Sequence, residues 1–200
     1  MKGYCSTNLI VIIGALCLGA CQTTSPIVSG TVNYGDSKAV EMLTNEFGST
    51  DLQTIAESMA RSLSQSRPVI QSSTAPLVTI AEVKNKTSEY IDTRAITDSI
   101  RAQLLKSGTI RFAVDISAMQ NQTDELMRQN QTGMYKNSKT KKIGQMEGAD
   151  YRVEGNITSI IKRTSSVKDV YYKFSLMLVN VESGVIEWAD EKEIRKTSNR

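Results

Sequence analysis

In three runs, Tyr151 to Ile161, Val170 to Val181 and Val185 to Ile194, apolar residues recur at alternate positions, and this alternation constrains what the chain can fold into more than any other feature. Tyr151, Val153, Gly155 and Ile157 fall on one face of the run Tyr151 to Ile161, and Tyr172, Phe174, Leu176 and Leu178 on one face of Val170 to Val181. A period of two belongs to a strand with one buried and one wet face, the usual state of an antiparallel sheet. Glu182-Ser183-Gly184 reads as a tight turn into Val185 to Ile194, where Ile186 and Trp188 continue the pattern. The segment therefore predicts a three-stranded meander.

Upstream the period changes to that of helices. Thr50-Asp51-Leu52-Gln53 matches a capping box, and Leu52, Ile55, Ala56, Met59 and Leu63 follow one helical face as far as the polar stretch ending at Arg67-Pro68. Leu77 to Val83 predicts a buried strand, and Asn85-Lys86-Thr87-Ser88 an exposed turn after it. Asp92 or Thr93 caps a helix with Ile96, Ile100 and Leu104 on its apolar face, and Gly108 stands where a left-handed C-cap belongs. Ile110 to Val114 resumes as a strand, Ser117 to Asn130 is helical in period, and Lys139 to Glu147 predicts a short helix stopped by Gly148. Asp36 to Phe47 carries Val40, Leu43 and Phe47 at helical spacing. The order implies an α+β fold: a single domain with one mixed, mostly antiparallel sheet of about five strands, helices largely on one face, and the meander at its C-terminal end.

The first twenty residues set the compartment. Lys2 precedes an apolar run from Leu9 to Leu18, about half of what a membrane-spanning helix needs, and Leu18-Gly19-Ala20-Cys21 follows. That tetrad resembles the bacterial lipobox, with Cys21 as the acylated residue. Residues 1–20 are then a lipoprotein signal peptide, 21–48 a lipidated N-terminus with a short tether, and 49–200 the globular domain. Cleavage removes Cys5 and Cys17, so no disulfide holds the mature protein and its core must do so. With Gln22 rather than Asp after the Cys, the sorting rule points to the outer membrane, facing the periplasm. Three acyl chains hold essentially permanently, at ~0.8 kcal/mol per buried methylene.

The 200 residues include no His, which excludes imidazole catalysis and the usual zinc sites. A net charge of +3 disfavours a dedicated nucleic-acid binder. Asp190-Glu191-Lys192-Glu193 is the densest acidic group, but alternation puts Asp190 opposite Glu191 and Glu193, as on a charge-protected strand edge. No catalytic residue, metal or cofactor is expected. The candidates for partner contact are Tyr135, beside the basic run Lys136, Lys139, Lys141 and Lys142; Tyr171, whose neighbour Tyr172 takes the other face; and Asn85 and Lys86 in the exposed turn. Asn85 and Thr87 also have the chemistry to shape that turn through local hydrogen bonds.

Asn85-Lys86-Thr87 after the first strand, Gly148-Ala149-Asp150-Tyr151 entering the third, and Leu176-Met177-Leu178-Val179 followed by Gly184-Val185-Ile186-Glu187-Trp188 together resemble the penicillin-binding protein activator LpoB family, from about residue 76 to 196. The resemblance implies an outer-membrane lipoprotein, not an enzyme. Such a protein docks a non-catalytic domain of a class A penicillin-binding protein and stimulates peptidoglycan synthesis, and a monomer is expected. Curli-secretion lipoproteins share these elements, so a structural subunit of an oligomeric envelope assembly is the alternative; a cell-wall hydrolase fits least. The family's long Pro-rich tether is missing, with only 3 Pro in the chain. The stretch from Cys21 to Asp51 spans at most ~100 Å extended and ~30 Å as a flexible coil.

Overall fold

The structure, a computed structural model, describes residues 35–40 and 44–199. The chain divides into two units, Met1–Ser37 and Lys38–Arg200, and every helix and strand below belongs to the second. The predicted signal peptide and Cys21 lie outside the described residues.

Helix α1 (Ser49–Ser64) runs into a short α2 (Arg67–Ile70) that begins, as Pro68 favours, within its first turn. Strand β1 (Leu77–Ile80) and strand β2 (Lys84–Lys86) lead into α3 (Thr93–Ser107), then β3 (Arg111–Phe112) and α4 (Ile116–Gln131). Three long strands finish the chain: β4 (Tyr151–Arg163), β5 (Val167–Asn180) and β6 (Ile186–Asn199). They form one six-stranded sheet of order β3-β1-β4-β5-β6, with β2 also on β4. The short pairings β1 with β3, β1 with β4 and β2 with β4 are parallel, and the long pairings β4 with β5 and β5 with β6 are antiparallel. This is the expected mixed α+β sheet with its terminal meander.

One side of the sheet carries the core. Val153 and Ile157 of β4 and Val170, Tyr172, Phe174, Leu176 and Leu178 of β5 are buried against Ile55, Ala56, Met59 and Leu63 of α1 and Ile96, Ile100 and Leu104 of α3. These are the periodic positions of the sequence, and each fully buried aliphatic or aromatic side chain contributes on the order of 2 kcal/mol. Asp92 caps α3 by accepting from the Arg94 and Ala95 amides at 3.0 and 3.1 Å, and Gly108 ends it at φ 70.

Several expectations need correction. The N-cap of α1 is Gly48, whose amide donates to Asp51 Oδ2 at 2.8 Å, so the cap falls two residues before Thr50. No helix forms among the described residues of 36–47, which run through turns and bends; Asn45 Nδ2 donates to Lys168 O at 3.0 Å and Ser198 Oγ at 2.8 Å, and Phe47 sits edge-on to Tyr172. Leu43 lies outside the described residues. The strand expected to reach Val83 stops at Ile80, and the turn expected at Asn85-Lys86 is β2 itself, although its residues are exposed. Strand β4 is long enough to be completed twice, and the chain leaves it at residues 81–83 before pairing again. Only Arg111 and Phe112 of the run Ile110 to Val114 are strand, because β3 pairs with a partner of four residues.

Lys139 to Glu147 is not a helix. It has no buried apolar position to pack, its three lysines repel one another, and Gly144 adopts φ 80. Ile186 is exposed, because the register of β6 shifts between Leu178 and Val179: Leu178 pairs with Trp188 and Val179 with Ile186, which puts Ile186 on the opposite face from Trp188. Gly155 makes room for the neighbouring strand β5. A Cβ there would lie 2.0 Å from Ser175 O and 2.7 Å from a Leu176 methyl carbon.

Candidate functional site

The side chain of Asn85 is spent on its own loop. Its Nδ2 donates to Glu89 O at 2.8 Å, and its Oδ1 accepts from the Thr87 amide at 2.9 Å with the Thr87 hydroxyl at 2.8 Å. Thr93 Oγ1 donates to Val83 O at 2.8 Å on the far side of the loop. Glu89 roots this web in the core, accepting from the Tyr172 hydroxyl at 2.7 Å and the Phe47 amide at 3.2 Å. Burial, and then the Glu89 carboxylate, push the Tyr172 phenol well above its ordinary value. The result is a stiff loop that displays Tyr90, 95% exposed. Sequence reasoning passed over Tyr90, and the signal was available: an aromatic residue in a polar stretch between β2 and a capped helix, with no place in either apolar pattern.

Register decides which face the other candidates occupy. Lys84 and Lys86 stand beside Asn156 and Thr158, and Tyr171 beside Ile160, all on the side of the sheet away from α1 and α3. Lys86 and Tyr171 thus share the open face, roughly 12 Å apart by strand spacing and rise. That face is laced by diagonal pairs between β5 and β6: Asp169 with Arg195 at 2.6 Å, Tyr171 with Glu193, and Lys173 with Glu191 at 2.8 Å. The hydrogen bond to Glu193, aided by burial, pushes the Tyr171 phenol up to about 12, and Arg195 holds the Asp169 carboxyl below its usual range. Glu191 and Glu193 are therefore committed to cross-strand pairs, while Asp190 and Lys192 of the same strand turn toward the helices, as alternation requires.

Tyr135 lies elsewhere. It is half-buried under Arg128 of α4, whose guanidinium sits 5.1 Å from its ring centroid and contacts its hydroxyl. The same Arg128 pairs with Glu125 at 2.7 Å. Lys136, Lys139, Lys141 and Lys142 beside it are all exposed. The four candidates are thus spread over a loop, the open face and the segment after α4 rather than gathered into one site.

No group of three or more potential metal ligands occurs among the described residues, and none of the described helices is long and apolar enough to cross a membrane. A shallow depression of about 380 Å³ runs along α1 between Thr54, Glu57, Ser58, Arg61 and Lys192. It is open and half polar, unlike the enclosed, mostly apolar pockets that hold small ligands.

The chain is similar to the LpoB C-terminal domain from Escherichia coli at 16% identity and a TM-score of 0.44, covering 72% of this chain and 98% of that one. It also resembles lipoprotein GNA1162 from Neisseria meningitidis (17% identity, TM-score 0.38, 62% and 84% covered). The PelC dodecamer from Paraburkholderia phytofirmans follows at 15% identity and a TM-score of 0.31, covering 63% and 73%. A comparison with curated proteins finds no match. The family model described as peptidoglycan-synthase activator LpoB matches residues 51–194, which run from the first turn of α1 through most of β6, and the chain belongs to that family.

Proposed function

We propose that the protein is an outer-membrane lipoprotein, anchored through acylated Cys21, that binds and allosterically activates a class A penicillin-binding protein. The observation that carries this reading is the match of residues 51–194 to the synthase-activator family. Its own chemistry is regulatory: the domain binds the active conformation of the synthase more tightly than the inactive one, and the equilibrium shifts by that difference in affinity. Monomeric behaviour is supported by the edge strand β6, whose Lys192 and Lys196 point toward the helix layer and whose outer positions are charged, which discourages pairing with a second copy.

Asn45 and Phe47 are fastened to the domain, and the chain from Cys21 to residue 44 reaches at most ~80 Å if fully extended. Docking therefore requires a synthase that projects toward the outer membrane.

The test is glycan polymerisation by each class A penicillin-binding protein of the organism, with and without the purified protein. A rate increase with one of them establishes the activator. No increase and no binding, together with a ring or other homo-oligomer in sedimentation, would instead establish a structural subunit of an envelope assembly.

A further inference from the structure

Between Ile110 and Val153 no residue is buried. This stretch holds all sixteen residues of α4 and the irregular segment after it, and only its two ends, Phe112 and Tyr151, pack against the core. It is joined to the body at its base, where Arg101 binds Asp115 at 2.9 and 3.0 Å and Arg111 meets Glu147 at 2.9 Å. Beyond that it folds on itself: Asn130 Nδ2 donates to Lys141 O at 2.9 Å and the Lys141 amide to Gln129 Oε1 at 3.2 Å. A helix that buries no residue draws its stability from its own backbone and local side-chain pairs rather than from tertiary packing.

The exposed composition is selective. Four of the chain's 8 Met, at 119, 127, 134 and 146, lie here and all are exposed, together with Ile116 and Ile143. Methionine is the side chain that adapts to an irregular protein partner. Residues 132–146 carry Lys136, Lys139, Lys141 and Lys142 with no acidic residue, so this one segment holds +4 in a chain of net +3. A lipid surface fits less well: an interfacial helix sets Lys and Arg on its polar face, whereas α4 carries Gln and Asn with Asp124, Glu125 and a single Arg128.

We propose that the arm formed by residues 113–149 is the docking surface for the synthase, receiving an acidic protein patch with apolar residues at its centre. The proposal rests on the activator reading. The lysines steer and hold the acidic rim, while Met119, Met127, Met134 and Met146 supply the contact that α4 lacks.

The experiment measures binding of the full chain, purified in detergent, to the class A penicillin-binding proteins at several salt concentrations. It compares three variants: Lys136→Glu with Lys139→Glu, Lys141→Glu and Lys142→Glu; Met119→Ser with Met127→Ser; and Tyr90→Ala. Because no altered side chain is buried, thermal unfolding of all three stays that of the parent. The expected result is that the lysine and methionine variants bind at least about tenfold more weakly, with the salt dependence largely gone from the lysine variant, while Tyr90→Ala binds as the parent does. Parent-like binding by both arm variants overturns the docking surface and leaves the activator reading standing, as does a loss confined to Tyr90→Ala. Failure of the parent itself to bind any synthase overturns the activator reading and the proposal with it. Arm-dependent binding to phosphatidylglycerol vesicles without arm-dependent synthase binding assigns the arm to lipid and overturns the proposal.

Discussion

Lys196 of β6 pairs with Asp51 in the first turn of α1, and both side chains are largely buried. Asp51 also accepts the Gly48 amide, and Lys196 donates to Glu46 O at 2.6 Å, so one ion pair fastens the entry of the domain to its edge strand. Breaking a buried pair leaves an uncompensated charge. Lys196→Met is expected to lose about 3 kcal/mol, and the double change with Asp51→Asn less than the sum of the singles. Urea unfolding followed by Trp188 fluorescence measures both, and strictly additive losses would show that the pair is not coupled.

Gly155 is irreplaceable on steric grounds. The Ser175 carbonyl is backbone in a central strand and cannot move out of the way of a Cβ only 2.0 Å from it. Gly155→Ala should cost at least about 2 kcal/mol, or prevent folding, whereas alanine at exposed Gly148, where a Cβ meets nothing within 4 Å, should cost less than about 0.5 kcal/mol. Equal midpoints for the two variants would contradict the close approach of the strands.

The buried phenol of Tyr172 gives the fold an alkaline limit. Its pKa is raised on folding, so its contribution is complete below the ordinary tyrosine value of about 10 and is lost as pH climbs above it. Tyr172→Phe removes that ionisation, and also the donor to Glu89, for about 1 kcal/mol at neutral pH. The stability difference between parent and variant should stay constant to about pH 9 and shrink above about pH 10. A difference that does not change with pH would mean the phenol titrates as freely as in the unfolded chain.

The lipid anchor is tested by Cys21→Ser. The parent is expected to incorporate labelled palmitate and fractionate with outer membranes, and the variant to do neither. Retention of the variant in the membrane fraction would place the anchor elsewhere.

The sequence by itself determined the parts whose signal is local or periodic. The meander was readable from Val153, Ile157, Tyr172, Phe174, Leu176 and Leu178 because burial on one face of a strand imposes a period of two. Helix α3 was readable because Asp92 and Gly108 satisfy backbone groups a few residues away. The amphipathic stripe of α1 was equally plain, and the motifs at Asn85, Gly148 and Gly184 were enough to point to the family. Only the tertiary structure decided that Asn85 belongs to a strand, since that depends on β4 offering a second stretch of unpaired backbone more than sixty residues later. The register shift that turns Ile186 outward arises between strands, and so does the crowding at Gly155. The stripping of α4 and its lysine segment from the core was hidden for the same reason: amphipathic spacing records that a face can be buried, and only packing decides whether this chain buries it or leaves it for another.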